Sequence, residues 1–159
     1  MDALQWVTNA NGMLVPVVSG PSASNMPLTT NGYKNIAHMA AVSATGMTNG
    51  SAAALVDGII AHRQIGFLSD AVFAGEAAVV TLRFDGPKTI CAVMAYGDSG
   101  NFLEGVRSIR LHLAGGGSIC YRGSACLQLN PLEVTAIEIT MPASDTPYTA
   151  SEIVVMSNI

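Results

Sequence analysis

Charge is what this chain has least of. Only 11% of its 159 residues are Asp, Glu, Lys or Arg, against roughly 25% in an ordinary soluble domain. The seven Lys and Arg are scattered and the formal net charge is −4, so no basic stripe exists to neutralise phosphates, which argues against nucleic-acid binding. Half of the chain is hydrophobic, yet no uninterrupted apolar run approaches the ~20 residues of a membrane span. Met1–Trp6 has neither the basic start nor the apolar core of a signal peptide, which predicts synthesis in the cytoplasm without a cleaved leader. The three cysteines, Cys91, Cys120 and Cys126, are odd in number and lack metal-ligand spacing, so neither a disulfide framework nor a zinc site is expected. Cys120 and Cys126 flank Tyr121–Ala125 and are placed to face each other across a hairpin, with reduced thiols as the default. His38, His62 and His112 stand alone rather than in ligand pairs. No Gly-rich loop runs from a strand into a helix, so a phosphate cradle is not supported. No metal and no cofactor are expected.

What the chain does have is strand pattern. In Ala78–Phe84, Ala78, Val80, Leu82 and Phe84 fall on one face and Thr81 and Arg83 on the other, the period of two of a half-buried strand. Ile90–Tyr96 is apolar on both faces, as a strand in the middle of a packed sheet is. Cys91 lies in this run and reads as a small buried hydrophobe. Asp85-Gly86-Pro87-Lys88 between the two predicts a chain reversal. In all, strands are expected near Ile36–Ser43, Ala77–Phe84, Ile90–Tyr96, Val106–Leu113, Gly117–Arg122, Ala125–Leu129, Val134–Met141 and Ser151–Met156. In Val106–Leu113, Ile109, Leu111 and Leu113 point inward and Ser108, Arg110 and His112 outward. Gly115-Gly116-Gly117 supplies a hairpin loop and Asn130-Pro131 breaks the chain again. Helical signal is confined to Ser51–Val56. Eight short strands punctuated by turns predict an all-β fold, an eight-stranded jelly-roll β-sandwich.

A chain of 159 residues suits one domain with a real core. The pattern divides it into an extended N-terminal arm over residues 1–35 and a body over residues 36–159. The arm carries three turn clusters and one strand-like run, Met13–Val18, which Pro16 would place at an edge. Lacking a core of its own, it would be held against the body or a neighbouring subunit. The low charge has two readings: a solvated face of Ser, Thr, Asn and Gly, or a surface covered by other subunits, since interface cores are depleted in charge.

Several motifs, in order along the chain, resemble one family. Ala54-Leu55-Val56-Asp57-Gly58 looks like the alanine-led Asp-Gly turn of galactose-binding-like β-sandwiches, the discoidin or coagulation factor 5/8 C-type modules. The stretch VTLRFDGPKTICAVMAY resembles the central V-x-L-x-F-x-x-P-x-x-I-x-x-V-x-x-Y pattern, and Ser151-Glu152-Ile153-Val154-Val155 the closing S-E-I-x-V strand. The resemblance covers about residues 36–158 and implies a sandwich that binds glycans, lipids or proteins through loops at one end, without catalysis. Many sugar-binding members carry a calcium site beside the first turn, in a pattern like D-G-D-x-x-T-x-W. Here Ile59, His62 and Gln64 replace its Asp, Thr and Trp, leaving Glu152 with few oxygen partners, whereas calcium takes six to eight. No calcium is therefore expected, and Asp57 reads as a turn former. The only tryptophan, Trp6, lies in the arm.

For a binding role the candidates are His62, Arg63 and Phe67 after the first turn, Asp98, Asn101 and Phe102 in the next loop, and Tyr121 and Arg122 near the Gly-rich hairpin. They combine planar faces with polar groups that satisfy sugar hydroxyls. The competing reading makes Phe67 and Phe102 plugs at the ends of the sandwich and Arg63 and Arg122 solvated cations. Gly97-Asp98-Ser99-Gly100 has the letters of a serine-protease loop, but a triad needs a positioned His and Asp, and the segment reads as a polar turn. Two functions remain. One is a non-catalytic structural subunit of a large assembly, a phage-like virion component such as a decoration, tail or baseplate protein, self-associating or joining other subunits through the arm. The other is a stand-alone carbohydrate-binding module with glycans as partners.

Overall fold

The computed structural model describes residues 33–48, 51–56, 71–97 and 102–157 in full, and the backbone of short strand segments at 5–8, 14–17, 24–25, 29–30, 49 and 59–60. Fourteen strands are described: β1 (Gln5–Thr8), β2 (Leu14–Val17), β3 (Ser24–Asn25), β4 (Thr29–Thr30), β5 (Tyr33–Asn35), β6 (Ala41–Ala44), β7 (Met47–Asn49), β8 (Ile59–Ile60), β9 (Ala71–Gly75), β10 (Val79–Gly97), β11 (Ser108–Leu113), β12 (Ser118–Arg122), β13 (Cys126–Thr140) and β14 (Ser144–Ser157). Two 3-10 helices, Ala37–Met39 and Ala52–Val56, complete the set. The second lies where the sequence predicts a helical turn.

Three long strands hold the architecture. The first half of β10 lies between β6 and the second half of β13, which continues through β11 to β12. The second half of β10 lies between the first half of β13 and β14, which continues to β5. Leu82, Ile109, Ile137 and Ile139 from one group share a single buried cluster with Val93, Ala95, Ile153 and Val155 from the other. The two groups therefore face each other across one core, an all-β sandwich. Its cluster is rich in Val and Ile, whose branched side chains pack well on a pleated surface.

Two predicted breaks do not occur. Asp85–Lys88 does not reverse the chain: β10 runs through it as one 19-residue strand. Both halves pair with the same partner, Arg83 with Ala136 and Lys88 with Val134. Five positions of β10 thus span two of β13, and the extra residues bulge out and bend the strand. Likewise Asn130-Pro131 lies inside β13, at the irregularity where Ile90 faces Leu132 and Ala92 faces Gln128. Proline, with no N–H to give, is tolerated at such a bulge. The reading of Ile36–Ser43 as one strand is also corrected, because a 3-10 helix over Ala37–Met39 precedes β6.

The alternation is borne out. Val80 and Leu82 are fully buried and Arg83 is exposed; Ile109 and Leu111 are buried, and Leu113 packs against the same core. Ile90–Tyr96 is buried on both faces. Val93 and Ala95 enter the main core, while Cys91, Met94 and Tyr96 join Cys126, Val154 and Met156 in a second apolar layer on the opposite face. All three cysteines are free thiols. Segments assigned to the arm pair within the chain: β3 with β8, and β5 with the end of β14.

Candidate functional site

Because β10 bends at 84–87 and both its halves pair with β13, its two ends lie at the same end of the sandwich. There the segment after β10, the β12–β13 turn and the start of β11 converge. Leu103 donates its N–H to the Ala95 carbonyl at 2.9 Å, Ala95 donates to Ala125 at 2.8 Å, and Gly123 donates to Arg107 at 3.0 Å. Arg107 in turn donates to Thr140 at 2.9 Å. The Ser151 hydroxyl donates to the Gly97 carbonyl at 2.6 Å, pinning the last residue of β10. Loop bases anchored this way give a rigid scaffold on which loops carry recognition.

Gly105 closes this end by a backbone only glycine adopts freely. Its φ is +84°, and a Cβ there would stand 3.3 Å from the Pro142 Cβ. A left-handed conformation and a close approach coincide at one position.

Of the eight predicted binding residues, Phe102, Tyr121 and Arg122 are described, and His62, Arg63, Phe67, Asp98 and Asn101 lie outside the described residues. So does most of Gly97–Gly100, and so does Asp57. Phe102 is half-buried, its ring 5.1 Å from that of Tyr96 and inclined by 35°. Tyr121 pairs with Ile109 and packs against the main core. Arg122 is exposed, opposite Ser108 on the outward face of β12. Arg107, also exposed, is not among the residues the sequence singles out; its position just before an alternating strand at a loop base is the available signal.

Beneath Phe102 the chemistry is buried and un-ionised. The Tyr96 hydroxyl donates to the Met94 thioether at 3.9 Å. Burial, with smaller contributions from Cys126 and Glu152, pushes this phenol well above its ordinary range. Burial pushes the Cys126 thiol up to about 11 and also raises Cys91, whose S–H donates to the Met156 carbonyl at 3.5 Å. Such thiols are inert rather than nucleophilic. Glu152 is buried in register with Tyr96, and among the described residues no three His, Cys, Asp or Glu side chains assemble a metal site.

The fold is that of the galactose-binding-like, discoidin-type β-sandwich. Among solved structures it is similar to the lectin domain of lectinolysin complexed with Lewis B antigen, with a TM-score of 0.61 and 16% identity over 77% of this chain and 95% of that one. A Streptococcus pneumoniae fucose binding module matches with a TM-score of 0.63 and 15% identity over 80% and 97%. The family 32 carbohydrate-binding module of C. perfringens NanJ, in complex with galactose, matches with a TM-score of 0.59 and 11% identity over 79% and 99%. No family profile and no curated protein sequence matches this chain.

Proposed function

We propose that this protein is a non-catalytic carbohydrate-binding module that takes a glycan at the loop-bearing end of its sandwich. The observation that carries this reading is the likeness, over more than three quarters of the chain, to modules solved as fucose-binding or with galactose or Lewis B antigen bound. The backbone-anchored loop bases that carry Phe102, Arg107 and Arg122 support it, because recognition loops need a rigid scaffold beneath them. His62, Arg63, Phe67, Asp98 and Asn101 complete the proposed site, with Tyr121 as a support beneath it. The virion or assembly reading draws no support from these relatives.

The test is a glycan array followed by calorimetric titration of the best binder, repeated with Arg107→Ala and Arg122→Ala. A binder whose affinity falls in either variant, with the melting temperature unchanged, supports the reading. An array without any binder overturns it.

A further inference from the structure

The end of the sandwich away from the loops holds a cavity of about 270 Å³, lined by Lys34, Ile36, Met39, Pro87, Lys88, Thr89 and Ser157. It forms where the β10 bend, the first 3-10 helix and the paired ends of β5 and β14 meet; Ser157 faces Lys34 in register. We propose that this cavity is a second binding site, for a carboxylate-bearing sugar ring such as a uronic acid.

The sequence contains two lysines, Lys34 and Lys88, and both line this one cavity in a chain of net charge −4. Gathering two ammonium groups at one cavity is unfavourable unless an anion joins them. The anion present is inadequate. Asp85 lies 3.6 Å from the Lys88 ammonium, but its side chain is 89% exposed, so solvent screens the pair. Among the described residues Lys34 has no ion-pair partner.

The rest of the lining sets the ligand's shape. Ile36, Pro87 and the exposed Met39 form an apolar wall, and Thr89 and Ser157 bring hydroxyls. An apolar wall beside hydroxyls and cations matches a pyranose ring with its C–H face, its own hydroxyls and a carboxylate. The volume lies at the lower edge of the ~300–1,000 Å³ of small-molecule sites. One ring fits and a chain does not.

The site is distinct from the loop end, so the two readings fail separately. The experiment is an NMR titration of the full chain with methyl glucuronide, with methyl galactoside and with acetate at matched ionic strength. It is repeated on the double variant Lys34→Gln, Lys88→Gln, with a thermal melt as the check on folding. The expected result is that the uronide shifts Lys34, Thr89 and Ser157, that acetate binds more weakly, and that the affinity drops roughly tenfold for each lysine lost. Loop-end binding of a neutral sugar should persist in the double variant. A uronide that shifts only residues near Phe102, acetate binding as tightly as the uronide, or affinity unchanged in the double variant would each overturn the proposal.

Discussion

From Val79 to Phe84, strand β10 buries Val80, Leu82 and Phe84 and turns Arg83 to solvent; from Ile90 to Tyr96 it buries every residue. The two halves share a neighbour, β13, and differ in what lies on the outward side. On the first half it is water. On the second it is a layer of Cys91, Met94, Tyr96, Cys126, Val154 and Met156, with Tyr33 and Phe102 packed against it. Alternation in a strand therefore reports one-sided burial, and its loss reports a second apolar layer.

The sharpest way to break this comparison is to truncate one large side chain in each half. Leu82→Ala should cost about 2–5 kcal/mol and Tyr96→Ala about 3–5 kcal/mol in urea unfolding, whereas Arg83→Ala should stay within about 0.5 kcal/mol. If Tyr96→Ala costs less than about 1 kcal/mol, the outward layer is not a core.

Next in size is a pH effect specific to the second half. The Cys126 thiol, ordinarily near 9.0, ionises at about 11 in the fold. A neutral-when-protonated group with a raised folded pKa contributes its full stability below the unfolded pKa and loses it as pH rises through the folded one. From this thiol alone stability should fall by about 2–3 kcal/mol between pH 9 and 11, followed by denaturant midpoints across that range, with Cys91 and Tyr96, also raised by burial, adding to the decline. Cys126→Ala should make the decline shallower without abolishing it; an unchanged slope would place the titration elsewhere.

A smaller effect separates the two ends of the sandwich. Gly105→Ala forces a side chain into a left-handed backbone beside Pro142 and should cost about 1–2 kcal/mol. At Gly86, in the β10 bulge, no described atom lies within 4 Å of where a methyl would stand, so Gly86→Ala should shift stability by no more than about 0.5 kcal/mol. Differential scanning calorimetry distinguishes the two. Smallest of all, His112→Ala removes the 2.9 Å contact with Glu138 on the solvated face of the sheet and should cost about 0.2–1 kcal/mol.

The strands and their inward faces were legible because period-two alternation is a local property. Val80, Leu82, Ile109 and Leu111 needed no knowledge of partners. What joins strands is not local. Asp85-Gly86-Pro87-Lys88 has turn composition, and only its pairing with β13 on both sides makes it a bulge rather than a reversal. Phe102 was legible as an aromatic in a loop, but its contact with Tyr96 depends on the bridge that folds the loop back on β10. Arg107 escaped notice because exposure at a loop base is set by tertiary neighbours. The lysine cavity was invisible for the same reason, its lining coming from three separate stretches of the chain, 34–39, 87–89 and Ser157.

The unbroken passage of β10 and β13 through both halves of the sandwich has a consequence for opening motions. Sandwiches built from separate strands can in principle open one sheet while the other persists, as independent cooperative units. Here the amides of Leu82 and Val93 belong to a single strand whose partner is likewise single, so neither sheet can detach without unzipping the other. Hydrogen exchange at these two positions should proceed at one common free energy, that of global unfolding, making the scaffold between the two ends a single mechanical body.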